Sequence, residues 1–111
     1  MPSMEYSVAF VTTSNTDEAR KIANALVGEK LAACCNIIPA VESVYRWEGK
    51  VNTDAEVLMV IKTRKSLEKD VIRRVRELHS YSVPEIIFLP LRSGNPDYLK
   101  WLVESTDKGK K

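Results

Sequence analysis

The stretch Glu56-Val57-Leu58-Met59-Val60-Ile61-Lys62 decides how this chain is laid out. Five apolar residues in succession, bounded by charge, fit a central strand covered on both faces. The turn Glu48-Gly49-Lys50 precedes it, and before the turn Leu31 to Trp47 is a long strand-like run interrupted by Pro39. Proline has no ladder donor, so a bulge or an edge segment is expected there. The two runs together make one long hairpin.

Working outward, Tyr6 to Thr13 is a β-branched and aromatic run that reads as a first strand. Thr13-Ser14-Asn15-Thr16 offers hydroxyl and amide caps, and Asp17 and Glu18 suit the positive end of a helix. Ala19, Ile22, Ala23, Leu26 and Val27 form its apolar stripe, and Gly28 predicts its stop. On the other side of the hairpin, Ser66 is expected to cap a second helix with Leu67, Val71, Ile72, Val75 and Leu78 on one face. His79 to Pro84 reads as a loop and Ile86 to Leu91 as a fourth strand. The turn Ser93-Gly94-Asn95-Pro96 leads into a short last helix over Asp97 to Thr106, with a polar tail expected to fray. The order βαββαβ plus one helix is α+β, the ferredoxin-like sandwich with two helices on one face of an antiparallel sheet. The opposite face remains too apolar for water, and the hairpin is longer than one small sheet needs. Both features predict association between copies.

The 111 residues fit one domain, 1–111, with an ordered core of about 6–106. A hydrophobic fraction of 44% against 29% charged is that of a globular chain, not a disordered one. No apolar run approaches the ~18–20 residues that span a bilayer, so no membrane partner is expected. The net charge is only +2, and the central strand is aliphatic, not aromatic. Nucleic acid is therefore not an expected partner. Neighbouring residues on a strand point to opposite faces, so Cys34 and Cys35 cannot bridge each other. Free thiols point to a reducing, cytoplasmic setting, though a removed leader peptide is compatible with them. Phosphate-cradling glycine motifs and cysteine-protease signatures are missing, and no enzymatic activity is expected.

Two groups of residues remain as candidates for chemistry. His79, Cys34, Cys35 and Glu85 are ligand types that Cu or Zn accepts, although their spacing is neither a finger nor a ribbon. His79 reads equally as a helix-end residue whose ring meets the last carbonyls, and Glu85 as a partner for an arginine. Tyr45 and Trp47 share one strand face; they fit a subunit contact or a ligand platform.

Several blocks in register resemble the CutA divalent-cation tolerance family. They are Leu31-Ala32-Ala33-Cys34-Cys35-Asn36, Pro39, Ser43 to Lys50, Leu58 to Thr63, His79-x-Tyr81 with Pro84-Glu85, and Gly94-x-x-x-Tyr98-Leu99-x-Trp101. The resemblance covers roughly Val8 to Thr106. It implies a ferredoxin-like subunit in a tight homotrimer, similar in shape to PII signalling proteins, with Tyr45, Trp47 and Trp101 in subunit contacts. It also implies tolerance to copper and other divalent cations. Cu(II) or another divalent cation is then the expected ligand, one not needed for folding, and a further protein partner is open, since mammalian members are linked to acetylcholinesterase. By position, His79, Glu85 and Cys34 carry over as the implied cation contacts. Thr12 stands where some members have a cysteine, and His79-Ser80-Tyr81-Ser82 departs from the usual His-Pro-Tyr-Glu. The alternative expectation is a PII-like sensor or scaffold that binds a small anion or a partner protein in inter-subunit clefts. That reading requires Lys62, Arg64 or Arg92 to reach the cleft.

Overall fold

A computed structural model describes residues 5–109. Its elements run β1 (Tyr6–Thr13), α1 (Thr16–Gly28), β2 (Cys34–Trp47), β3 (Lys50–Arg64), a 3-10 turn (Lys65–Leu67), α2 (Glu68–Leu78), β4 (Ile86–Leu91) and α3 (Pro96–Ser105). The strands form one antiparallel sheet in the order β2-β3-β1-β4. This is the expected α+β layout of four strands and three helices. Pro90 is tolerated because β4 lies at a sheet edge.

Alternation along the strands divides the sheet into two unlike faces. Ala9, Val11, Met59 and Ile61 point one way and are closed off by Ala19, Ile22 and Leu26 of α1 and by Val71 and Val75 of α2. The opposite face carries Val8, Phe10, Leu58 and Val60, all half-buried. It continues onto Leu89 and Ile87, which pair with Val8 and Phe10 and stay 51% and 53% exposed. Helix α3 reaches this second face near Cys34, which pairs with Lys62 and meets Tyr98. Arg64 donates to the Thr106 carbonyl at the end of α3, where a cation suits the negative end of the helix.

The hairpin is longer than the apolar run alone predicts. Val51 to Ala55 extend β3 by pairing with the outer part of β2. Its turn has two residues, Glu48 and Gly49, with φ of 52° and 78°, between the paired Trp47 and Lys50. Two positive φ angles in succession match the right-handed twist of the flanking strands. The irregularity expected at Pro39 lies between Ile38 and Val41, where the register shifts. Leu31 to Ala33 are a buried link and not the start of β2.

Three local details differ from expectation. Ser66 does not cap α2; the preceding 3-10 turn does that work, its Lys65 carbonyl accepting from Glu68 N–H. Gly28 is the last residue of α1, but the left-handed position falls on Lys30 at φ 61°. Helix α3 starts one residue early, with Pro96 in its first turn and Asn95 accepting from Asp97 N–H. The tail residues Lys110 and Lys111 lie outside the described residues.

Candidate functional site

Helix α2 ends at His79, whose N–H closes the last turn on the Val75 carbonyl at 2.8 Å. The side chain is fully buried and turns back onto the end of β1. Its Nε2 lies 2.7 Å from the Thr12 carbonyl oxygen, which can only accept, so Nε2 carries the hydrogen. Its Nδ1 accepts from Tyr81 N–H at 3.0 Å. Glu18 Oε2 lies 3.2 Å from the same Nδ1, but a nitrogen that is already accepting has nothing to give it. The carboxylate accepts instead from Ser80 N–H at 3.2 Å. The ring therefore pins the start of the 80–85 loop to β1, and not to the carbonyls of its own helix.

The pinned loop delivers Tyr81 to β3. Its ring lies 4.7 Å from the imidazole, and its hydroxyl donates to Glu56 Oε2 at 2.8 Å. Burial first, and the bond to Glu56 second, push the phenol above its ordinary range, so it stays a donor. On the outer hairpin Tyr45 donates to Asp54, which raises that phenol as well.

Between the hairpin and the loop opens a cleft of about 580 Å³. Ser43, Val44, Tyr45, Trp47 and Glu56 form the hairpin wall; Tyr81, Ser82, Val83 and Glu85 form the loop wall, with Thr12 at the base. The lining holds two carboxylates and no lysine, arginine or histidine. Lys62 instead donates to Asn36, and Arg64 to the end of α3.

The sequence candidates are thus brought together only in part. Glu85 lines the cleft, while His79 stands behind it with both ring nitrogens engaged. Cys34 lies apart from both: it pairs with Lys62, whereas Thr12 pairs with Leu58, four residues or about 13 Å along β3. Tyr45 and Trp47 line the cleft, and Trp101 stacks obliquely on Tyr98 of α3, both half-exposed. Among the described residues no group of three or more His, Cys, Asp or Glu side chains could hold a metal ion. One chain therefore supplies open carboxylates but not a closed metal shell. Burial, reinforced by Cys34, pushes the Cys35 thiol up to about 12, which leaves it a poor nucleophile.

Glu56, Glu18 and the Thr12 carbonyl are the contributors that sequence reasoning missed. Glu18 carried one signal, since an acidic first turn marks it, but that signal pointed to the helix end and not to Ser80.

The family profile described as CutA1 divalent ion tolerance protein matches residues 7–105. The chain is 52% identical over 99 residues to "Protein CutA 1, chloroplastic" of Oryza sativa subsp. japonica, covering 89% of this chain and 56% of that protein. It is 48% identical over 99 residues to the divalent-cation tolerance protein CutA of Thermus thermophilus, covering 89% and 96%. The solved structure of CutA1 from Oryza sativa superposes with a TM-score of 0.91 at 47% identity, over 97% of this chain and 99% of that one. The chain spans little more than half the length of the plant and mouse relatives it matches. No helix among the described residues is long and apolar enough to cross a membrane.

Proposed function

The chain belongs to the CutA1 divalent ion tolerance family, and from that premise we propose that it serves divalent-cation tolerance as a non-enzymatic homotrimer. Cu(II) or another divalent cation meets it at a cleft beside the hairpin. The sign of the cleft carries this reading: Glu56 and Glu85 face it with no basic residue to neutralise them. The open sheet face and the exposed Trp47 support assembly, because large apolar groups left in water favour a partner. The small-anion alternative places its site in clefts between subunits and needs Lys62, Arg64 or Arg92 there; none of the three lines the cleft within one chain. The unbridged thiols fit a reducing compartment such as the cytoplasm.

Glu85 leads the cation contacts in this reading. His79 joins only by giving up the Thr12 or Tyr81 bond, so its first role is to hold the loop. Cys34 would be a separate, softer contact. Cu(II) titration against a competing chelator tests the assignment: Glu85→Gln should weaken binding about tenfold, the value of one charged contact. Unchanged affinity in that variant would remove Glu85 as the lead. Light scattering with and without chelator should give three times 12.6 kDa, or 37.8 kDa. A monomer under both conditions would refute the trimer.

A further inference from the structure

At the register shift in the hairpin, Ile38 pairs with Leu58 and Val41 with Glu56, so Pro39 and Ala40 together stand opposite Val57. A bulge of this kind breaks the ladder locally and lets the strand bend. Pro39 adds to the break because it has no N–H. Everything beyond, from Val41 through the turn to Glu56, is the outer arm. From Glu56 to Lys50 the arm runs about 20 Å at the rise of a strand. A tilt of about 10° at the bulge therefore carries the tip about 3–4 Å, more than close-packed side chains absorb.

Inside the arm, Tyr45 donates to Asp54, and Asn52 to the Lys50 carbonyl. Among the described residues one side-chain hydrogen bond joins the arm to the rest of its subunit: the Tyr81 hydroxyl donates to Glu56 Oε2 at 2.8 Å. Glu56 is the first paired residue of β3 on the arm side of the bulge, where a tether sets the direction of all that follows. The tyrosine itself stands on fixed ground. His79 Nε2 donates to the Thr12 carbonyl, its Nδ1 accepts from Tyr81 N–H, and Glu18 accepts from Ser80 N–H. Core, loop and arm are thus linked in series.

We propose that the Tyr81–Glu56 hydrogen bond is a latch that sets the angle of the outer arm against its own core, so that the arm is already aimed when a second copy of the chain meets it. Association then has no swinging segment to order, a cost that mobile surfaces bear on binding. What the arm meets rests on the homotrimer reading above; the latch itself lies within one chain.

Tyr81→Phe removes the hydroxyl and keeps the ring beside His79. With a chelator present, so that no bound cation contributes, amide hydrogen exchange of the native protein should quicken about fivefold over Val51 to Ala55, the worth of one hydrogen bond. Exchange at Met59 and Ile61 should stay unchanged. Subunit exchange between isotope-labelled and unlabelled protein, followed by native mass spectrometry, should speed up by a similar factor or more. Glu56→Gln, whose amide oxygen still accepts, should match the parent in both measurements. Glu56→Ala should match Tyr81→Phe, and the double variant should go no further. Unchanged arm exchange in Tyr81→Phe overturns the proposal, as does a rise shared equally by Met59 and Ile61. Glu56→Gln behaving like Glu56→Ala would also overturn it, since charge and not the hydrogen bond would then act. In an oligomer, subunit exchange at the parent rate overturns it as well. A monomer by light scattering defeats the trimer reading alone, because arm exchange decides the latch in that case too.

Discussion

The inner and outer halves of the β2–β3 hairpin share one antiparallel ladder but solve different problems. In the inner half, Cys35 and Ile37 lie across from Ile61 and Met59, and these side chains join the core beneath α1 and α2. Beyond the register shift at Ile38/Val41 the helices no longer cover the strands. There Val44 is 65% exposed, Val51 64% and Trp47 50%. Backbone pairing and the Tyr45–Asp54 hydrogen bond hold this outer arm in shape, while the helices of its own subunit leave most of its side chains exposed. A ladder can therefore extend past the core that justifies it, and the apolar residues on the extension then serve a surface. The elongation of the subunit, 45 × 26 × 22 Å, reflects that division.

Substitutions on either side of the register shift should behave differently. Ile61 is fully buried, and Ile61→Ala should cost about 2–5 kcal/mol through lost transfer energy and a residual cavity. Its urea midpoint should fall equally at all protein concentrations. Trp47→Ala should cost about 2 kcal/mol or more, but with a midpoint that falls further as the protein is diluted, since only contacts between chains depend on concentration. Denaturation at two concentrations a hundredfold apart measures both. A concentration-independent loss for Trp47→Ala would mean that the arm stabilises only its own subunit.

At the tip, Gly49→Val should cost about 1–2 kcal/mol, because a β-branched side chain is strained at φ 78° while nothing lies within 4 Å of the added Cβ. The loss should leave the core intact, visible as unchanged amide protection for Met59 and Ile61. Protection lost there as well would show that the tip and the inner half fold as one unit.

The smallest effect belongs to Glu29, which Arg74 grips through Nε at 3.0 Å and Nη2 at 2.9 Å. That contact holds the Glu29 carboxyl below its ordinary value of 4.5. Its stabilising effect is therefore present above that value and lost as pH falls through the lowered one. Glu29→Gln should be slightly less stable than the parent at pH 7 and indistinguishable from it at strongly acid pH. A gap that widens on acidification would contradict the sign.

Much of the fold was legible in local pattern. The run Val57 to Ile61 reads as a buried strand, Pro39 as an irregularity, and Glu48-Gly49 as the turn. Local pattern misled where two local devices compete for one task. Ser66 looks like a cap, yet a 3-10 turn satisfies the first N–H groups of α2; Gly28 looks like the stop, yet Lys30 takes the left-handed residue. The candidate site was less legible. His79, Glu85 and Cys34 are recognisable as ligand types by chemistry alone, but side-chain chemistry does not say which of them face the same space.

By itself, the sequence determined the order of the elements, the hairpin and the family, because strand and helix periods, turn residues and motif spacing are short-range properties. Only the tertiary structure decided that the His79 ring would be spent on Thr12, that Tyr81 would hold Glu56, and that Glu56 and Glu85 would face one cleft. Those contacts join residues 67 and 25 positions apart in the first two cases. The Glu56 placement depends on strand register, since a slip of one residue in β3 would turn its side chain to the opposite face of the sheet.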